Sequence, residues 1–254
     1  MTRRVLQIAV PIACVAVWWA VSAGSTNFFF PPLRDILETF REVWIFDKLG
    51  SDVVPSVARL LVGYGLSAVI GIGLGLFLGL HPVPRAFADP LTHFLRSIPA
   101  PALIPPALVV LGLGSGMKVF VIVLGALWPI LLNTIDGVRG QDPTPLEMAR
   151  AYGIGGVERI RRIVLPAAAP QIFAGLRTSL SIALILMVIS EMVASTNGIG
   201  NFVLQSQRTF AIPEMWSGIL LLGLLGIALS LIFGAVERRV LRWHRGARQA
   251  ARAR

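Results

Sequence analysis

Apolar residues in this chain gather into long runs rather than the short amphipathic stretches of a water-soluble domain. Six runs, residues 5–23, 57–80, 87–113, 117–135, 171–194 and 213–236, are each long enough to carry a helix across a hydrocarbon core, which takes roughly 17 to 25 residues. The pattern predicts an all-α polytopic membrane protein with six transmembrane helices, organised as a single domain over residues 1–254. Within the third run, Pro99, Pro101, Pro105 and Pro106 must kink or interrupt the helix, because proline removes a backbone donor and crowds the preceding turn.

Polar positions subdivide what lies between the runs. Residues 27–56 carry Leu33, Ile36, Leu37, Phe40, Val43 and Trp44 at helical spacing among Arg34, Asp35, Glu38, Arg41 and Glu42. This reads as an amphipathic helix resting on the membrane or on the bundle. In the second run, Gly63, Ser67, Gly71, Gly75 and Gly79 recur on one helical face. Such a stripe of small side chains lets a neighbouring helix approach closely. The local Gly71-Ile72-Gly73-Leu74-Gly75 lacks the strand, turn and downstream acid of a dinucleotide site.

Composition agrees with a membrane setting: 55% of residues are hydrophobic and 14% charged. The formal charge of +10 could suggest nucleic acid, but most of the cations lie outside the apolar runs and collect in particular loops and in a basic tail, residues 237–254. With both termini in the cytoplasm, seventeen Arg and Lys residues fall inside and six outside. That is the positive-inside distribution of a multi-pass protein, not a phosphate-binding face. Trp216 and Trp243 flank the sixth run as interfacial anchors would. The N-terminal run also resembles a signal peptide, with Ser22-Ala23-Gly24 as small residues near a cleavage position, but its length favours a retained first helix. The single cysteine, Cys14, excludes an intramolecular disulfide and reads as a small apolar residue.

Between the fourth and fifth runs lies a polar segment, residues 141–166, with the pattern of two short helices. Thr144, Pro145 and Glu147 have the spacing of a capping box, with proline at the first helical position. Gly153, Gly155 and Gly156 end that helix and permit a sharp change of direction. A second helix is expected from Val157 to Leu165, stopped by Pro166. A short, self-capped helix pair held at a membrane surface suits force transmission, with Leu146, Met148, Ala149, Tyr152 and Ile154 as side chains to insert into a partner.

This segment resembles the signature of binding-protein-dependent ABC transporter permeases. The resemblance rests on Glu147-Met148-Ala149, then Gly153, then, after nine intervening residues, Ile163-Val164-Leu165-Pro166, with Met148 departing from the usual middle alanine. It implies a type I importer permease fold in which 141–166 is the coupling helix region and Glu147, Met148, Ala149, Tyr152, Gly153 and Ile154 meet an ATP-hydrolysing subunit. Leu95-Arg96-Ser97-Ile98-Pro99, Leu132 to Arg139, Ser190-Glu191-Met192 and Asn197-Gly198-Ile199-Gly200 are similar to permeases for nitrate, aliphatic sulfonates and taurine. The resemblance further implies a permease dimer, most simply a homodimer, in a bacterial inner membrane, served by ATP-binding subunits and a soluble substrate-binding protein. ATP and magnesium would be held by the ATPase partner and no cofactor by this chain, which contains no phosphate loop. Catalysis and nucleic-acid binding are not expected of it.

Glu191 is the only acid deep within a predicted span, and burying such a group costs a few kcal/mol, which marks it for a role. Two readings stand: a bond that fixes helix packing, or, with Ser190, a place on the solute pathway or gate. His81, His93 and His244 lack metal-ligand spacing, so no metal site is expected. Ser115 lies in a short hairpin between runs without a nearby membrane histidine. A polytopic membrane enzyme using Glu191 or Ser115, or a secondary transporter, are the alternatives. The latter would usually show more intramembrane charges and inverted repeats.

Overall fold

In hydrocarbon every backbone donor and acceptor must be satisfied within the protein, so apolar runs of this length become helices. The computed structural model, which describes residues 2–243, contains only helical regular elements among them. They are α1 Thr2–Ser22, α2 Leu33–Phe40, α3 Val54–Leu80, α4 Pro82–Ser97, α5 Ile104–Leu111, α6 Ser115–Arg139, α7 Pro143–Ala151, α8 Gly156–Arg159, α9 Leu165–Val193, α10 Ile199–Arg208 and α11 Ile212–Val240. Wide π turns cover Arg41–Asp47, Leu49–Val53 and Ile160–Val164, and a 3-10 turn covers Ala100–Leu103. The basic tail beyond Trp243, including His244, lies outside the described residues.

Four uninterrupted helical stretches are long and apolar enough to cross a membrane: Leu49–Leu80, Ser115–Arg139, Gly156–Val193 and Ile212–Val240. The predicted third run is interrupted as its prolines require: α4 and the Ala100–Leu111 stretch meet at an 86° bend. Its cause is local. Pro99 and Pro101 supply no N–H to continue the α4 ladder, and Pro99 pushes the residue before it out of the helical region, with Ile98 at ψ 121°. The predicted first span is represented by α1, whose described apolar part, Ala9–Ser22, is shorter than a full crossing.

The chain gathers into two compact units. One comprises Ala58–Ser190 and Gly226–Arg254 in its described part. There the small-residue stripe of α3 meets α6: a Cβ added at Gly63, Gly71, Gly75 or Gly79 would lie 2.6, 2.9, 2.5 and 2.8 Å from Ile122, Ile130, Thr134 and Val138 respectively. Each partner lies the same number of residues further along the chain, so α3 and α6 run parallel and side by side over this length. Two parallel spans joined in sequence require a return crossing, and residues 81–114 must make it. The bent α4–α5 pair is therefore a broken span. Helix α9 runs antiparallel to α6, since Gly137 abuts Gln171 while Gly175 abuts Pro129 and Ser179 donates to the Ala126 carbonyl at 2.6 Å. At the end where α6 finishes and α9 begins, Val138, Val164, Ala168 and Ile172 form a buried cluster joined by Ile72, Leu76 and Leu80 of α3.

The other unit comprises Met1–Val57, in its described part, and Glu191–Leu225. Leu33, Ile36 and Trp44 are buried in it. Trp44 donates to Ser217 Oγ at 3.0 Å and packs edge-on against Phe202. The amphipathic segment thus rests its apolar face on protein, as an α-helix that loosens into π turns rather than one regular helix. Trp216 is held by protein as well, donating to the Phe29 carbonyl at 3.1 Å beside Trp18.

Candidate functional site

The coupling segment is built from its own backbone chemistry. Helix α7 begins at Pro143, and Asp142 Oδ1 accepts the Thr144 N–H at 2.9 Å. The cap is therefore Asp142 followed by proline at the first helical position. The predicted Thr144 cap with Glu147 as its reciprocal partner is corrected, because an exposed carboxylate just before the prolyl position is the stronger acceptor for those free N–H groups. The same bond holds the Asp142 carboxyl below its ordinary value. Its contribution is thus complete at neutral pH and is lost only as pH falls through that lowered value.

The far end of α7 closes as the glycines predict. Gly153 sits at φ +70°, and the Ile154 N–H reaches back to the Ala149 carbonyl at 2.8 Å. This is the Schellman closure, in which glycine supplies the left-handed residue. Gly156 turns left-handed again at φ +57° and starts α8. The predicted stop at Pro166 is corrected: the helix runs on from Gly156 to Val193. Pro166 has no N–H to offer the Arg162 carbonyl, and the preceding turn widens so that the Leu165 N–H bonds the Ile160 carbonyl instead. A π turn is the usual way to absorb such a misfit. Gln141 Nε2 donates to the Val164 carbonyl at 2.8 Å, tying the segment's two ends together.

Helix α7 has two faces. Leu146 packs on the cluster where α3, α6 and α9 converge, and Ala149 is 2% exposed. On the opposite side Met148 is 55% and Tyr152 77% exposed, with Glu147 also in the open, while Ile154 is half-buried. Of the predicted docking residues the structure therefore groups Glu147, Met148 and Tyr152 on one free face. Leu146 and Ala149 anchor that face to the helices beneath.

Glu191 is elsewhere and fully buried. Ser56 Oγ lies 2.8 Å from both of its carboxylate oxygens, and the Gly200 N–H donates to Oε2 at 3.1 Å. Neighbouring Ser190 does not join these bonds; its hydroxyl donates to the Met187 carbonyl in its own helix at 2.9 Å. The sequence does not point to Ser56 and Gly200 as partners of Glu191, although Asn197-Gly198-Ile199-Gly200 is distinctive. Ser115 Oγ accepts from Arg59 Nε at 3.1 Å at the start of α6. Among the described residues no group of three or more His, Cys, Asp or Glu side chains is arranged to hold a metal.

At the broken span, a cavity of about 680 Å³ is bounded by α4 and its following turn, α6 and α9. Ile98, Pro99, Trp128 and Leu186 give it an apolar wall, and Arg96 is its one charged lining residue.

Residues 71–242 match the family described as binding-protein-dependent transport system inner membrane component. The chain belongs to this family. It is a transport permease and not an enzyme. Curated relatives include an aliphatic sulfonates transport permease of Bacillus subtilis, 28% identical with 93% of this chain and 86% of the relative covered. The taurine transport system permease of Escherichia coli is 26% identical, covering 96% and 92%. The bicarbonate transport system permease of Synechococcus elongatus is 30% identical, covering 93% and 89%. A solved structure of the MetNI methionine ABC transporter, in inward-facing form, superposes with TM-score 0.66 at 20% identity over 74% of this permease and 94% of that chain. That likeness supports the ABC permease fold.

Proposed function

We propose that this permease, acting as one membrane domain over its whole length, forms the pathway of an ATP-driven importer for a small anion such as a sulfonate, taurine, nitrate or bicarbonate. Glu147, Met148 and Tyr152 dock it onto ATP-binding subunits that hold ATP and magnesium, with Ala149, Gly153 and Ile154 seating and shaping that face. A soluble binding protein delivers the solute to the opposite face, and a second copy of the chain completes the pathway. All six apolar runs cross the inner membrane in this reading, with both termini in the cytoplasm.

One observation carries it: α7 presents Met148 and Tyr152 outward while Leu146 seats the same helix on the convergence of α3, α6 and α9. A partner that grips the outer face displaces all three spans through the inner one. Hydrolysis in the partner then biases two arrangements of the bundle, which is what alternating access needs. The anion class is supported by the named cargo of the sulfonate, taurine and bicarbonate relatives and by Arg96 on the cavity of the broken span. A single cation on an apolar wall suits a small anion.

The test is uptake into proteoliposomes holding the permease with its ATPase, given the binding protein and labelled alkanesulfonate, taurine, nitrate or bicarbonate. ATP-dependent accumulation of one of these is expected, weakened by Arg96→Ala and retained by Arg96→Lys. Accumulation of none, with a cationic or neutral solute taken up instead, would overturn the anion reading.

A further inference from the structure

Helix α10 begins at Gly198, which has no side chain with which to cap its own helix, and its first N–H groups are satisfied from outside. The N–H of Gly198 donates to Asp52 Oδ1 at 2.7 Å, that of Ile199 to Ser56 Oγ at 3.0 Å and that of Gly200 to Glu191 Oε2 at 3.1 Å. Ser56 closes the set by donating to the Glu191 carboxylate at 2.8 Å. Asp52 is braced in turn by Ser51 Oγ at 2.7 Å. Three consecutive donors thus meet acceptors from two other helical segments, and both acids sit where a helix N-terminus favours negative charge.

The fit leaves no slack. Gly198 has φ +115°, and a Cβ there would lie 2.5 Å from Glu191 Oε2, so the carboxylate occupies the space any other residue would need. Asp52, Ser56 and Glu191 are all buried. An unpaired carboxylate there would be costly, whereas a fully bonded one holds its partners in a single arrangement. Glu191 lies at the end of the continuous helix Gly156–Val193.

We propose that Glu191 is a positioning residue of the transport cycle. With Ser56 and Asp52 it clasps the first turn of α10 to the end of α9 and the start of α3, so that α10 moves with them as one body. Movement of α9, the helix into which the coupling segment leads, is then passed on to α10. The clasp acts through bonds to backbone and not through contact with the solute. This inference rests on the importer reading above.

The experiment compares wild type, Glu191→Ala, Glu191→Gln and Ser56→Ala, each reconstituted with the ATPase and assayed for hydrolysis with and without loaded binding protein, and for uptake. Glu191→Ala is expected to keep ATPase association and basal hydrolysis while losing about tenfold in stimulation and uptake, within the range of coupling effects between distant sites. Glu191→Gln, which keeps an acceptor oxygen for Gly200, should recover most of that loss, and Ser56→Ala should fall between. Equal falls in basal and stimulated hydrolysis, with no rescue by glutamine, would mean a merely structural role and overturn the proposal. Should Glu191→Ala fail to assemble, Ser56→Ala decides, and an unchanged stimulation ratio there overturns it. Absence of stimulated hydrolysis and uptake in wild type would remove the importer reading and the clasp with it.

Discussion

Gly75 and Gly73 sit two residues apart on α3 and make opposite demands. A Cβ at Gly75 would lie 2.5 Å from Thr134 Cβ and 3.0 Å from the Leu131 carbonyl, whereas one at Gly73 meets nothing within 4 Å. Gly75→Ala should therefore push α3 and α6 apart, at an overpacking cost of about 1–3 kcal/mol. Gly73→Ala should be neutral or slightly stabilising through the better helix propensity of alanine. Thermal unfolding of the two purified variants checks this, with Gly75→Ala alone expected to melt early and Gly75→Leu to lose assembly altogether. Equal melting temperatures would mean that the stripe is not a tight interface. The every-fourth-residue spacing of the stripe was legible in the sequence, and so was the positive φ of Gly153. What sets Glu191 was not: Ser56 and Gly200, which bond its carboxylate, lie 135 and 9 residues away in the chain, and no local periodicity encodes a bond that closes only in three dimensions.

At the scale of elements, the coupling segment is a surface helix closed by its own caps and seated by Leu146. Replacing Met148 and Tyr152 together by alanine removes exposed side chains with little to support inside the chain. The spans should stay inserted while co-purification of the ATPase drops by about tenfold or more, as loss of central anchors does at other interfaces. Gly153→Val acts differently, forcing a β-branched residue to φ +70° at about 1–3 kcal/mol of strain. It should misplace the docking face and weaken association as well. Undiminished co-purification of both variants would remove the segment from the docking surface. The segment was found from sequence because capping, glycine and proline chemistry is local. Its details differ where two local options competed: Asp142 caps the helix two residues earlier by accepting the N–H of Thr144 itself, and the helix absorbs Pro166 in a π turn instead of ending. Helix α10 was missed because its cap residues lie in other segments.

For the whole molecule, the parallel run of α3 beside α6 fixes an odd number of crossings between them, and the proline-rich stretch supplies that crossing despite its 86° bend. The length of the apolar runs located the four uninterrupted spans, because such a helix is apolar on its lipid-facing and protein-facing sides alike; the most apolar stretch of α11 buries none of its residues. The orientation proposed from charge places Lys48 outside and Gly155 inside. In a Cys14→Ala background, Lys48→Cys should react with an impermeant reagent added to intact cells and Gly155→Cys only after permeabilisation, the reverse result inverting the topology. The most direct test of the central claim, that this permease imports solute by force received through residues 141–166, is ATP-driven uptake in proteoliposomes with the ATPase and binding protein. Wild type should accumulate solute and the Met148→Ala, Tyr152→Ala double variant should not, with equal permease inserted in both. Equal uptake by the two, or uptake by wild type without ATP, would contradict the account.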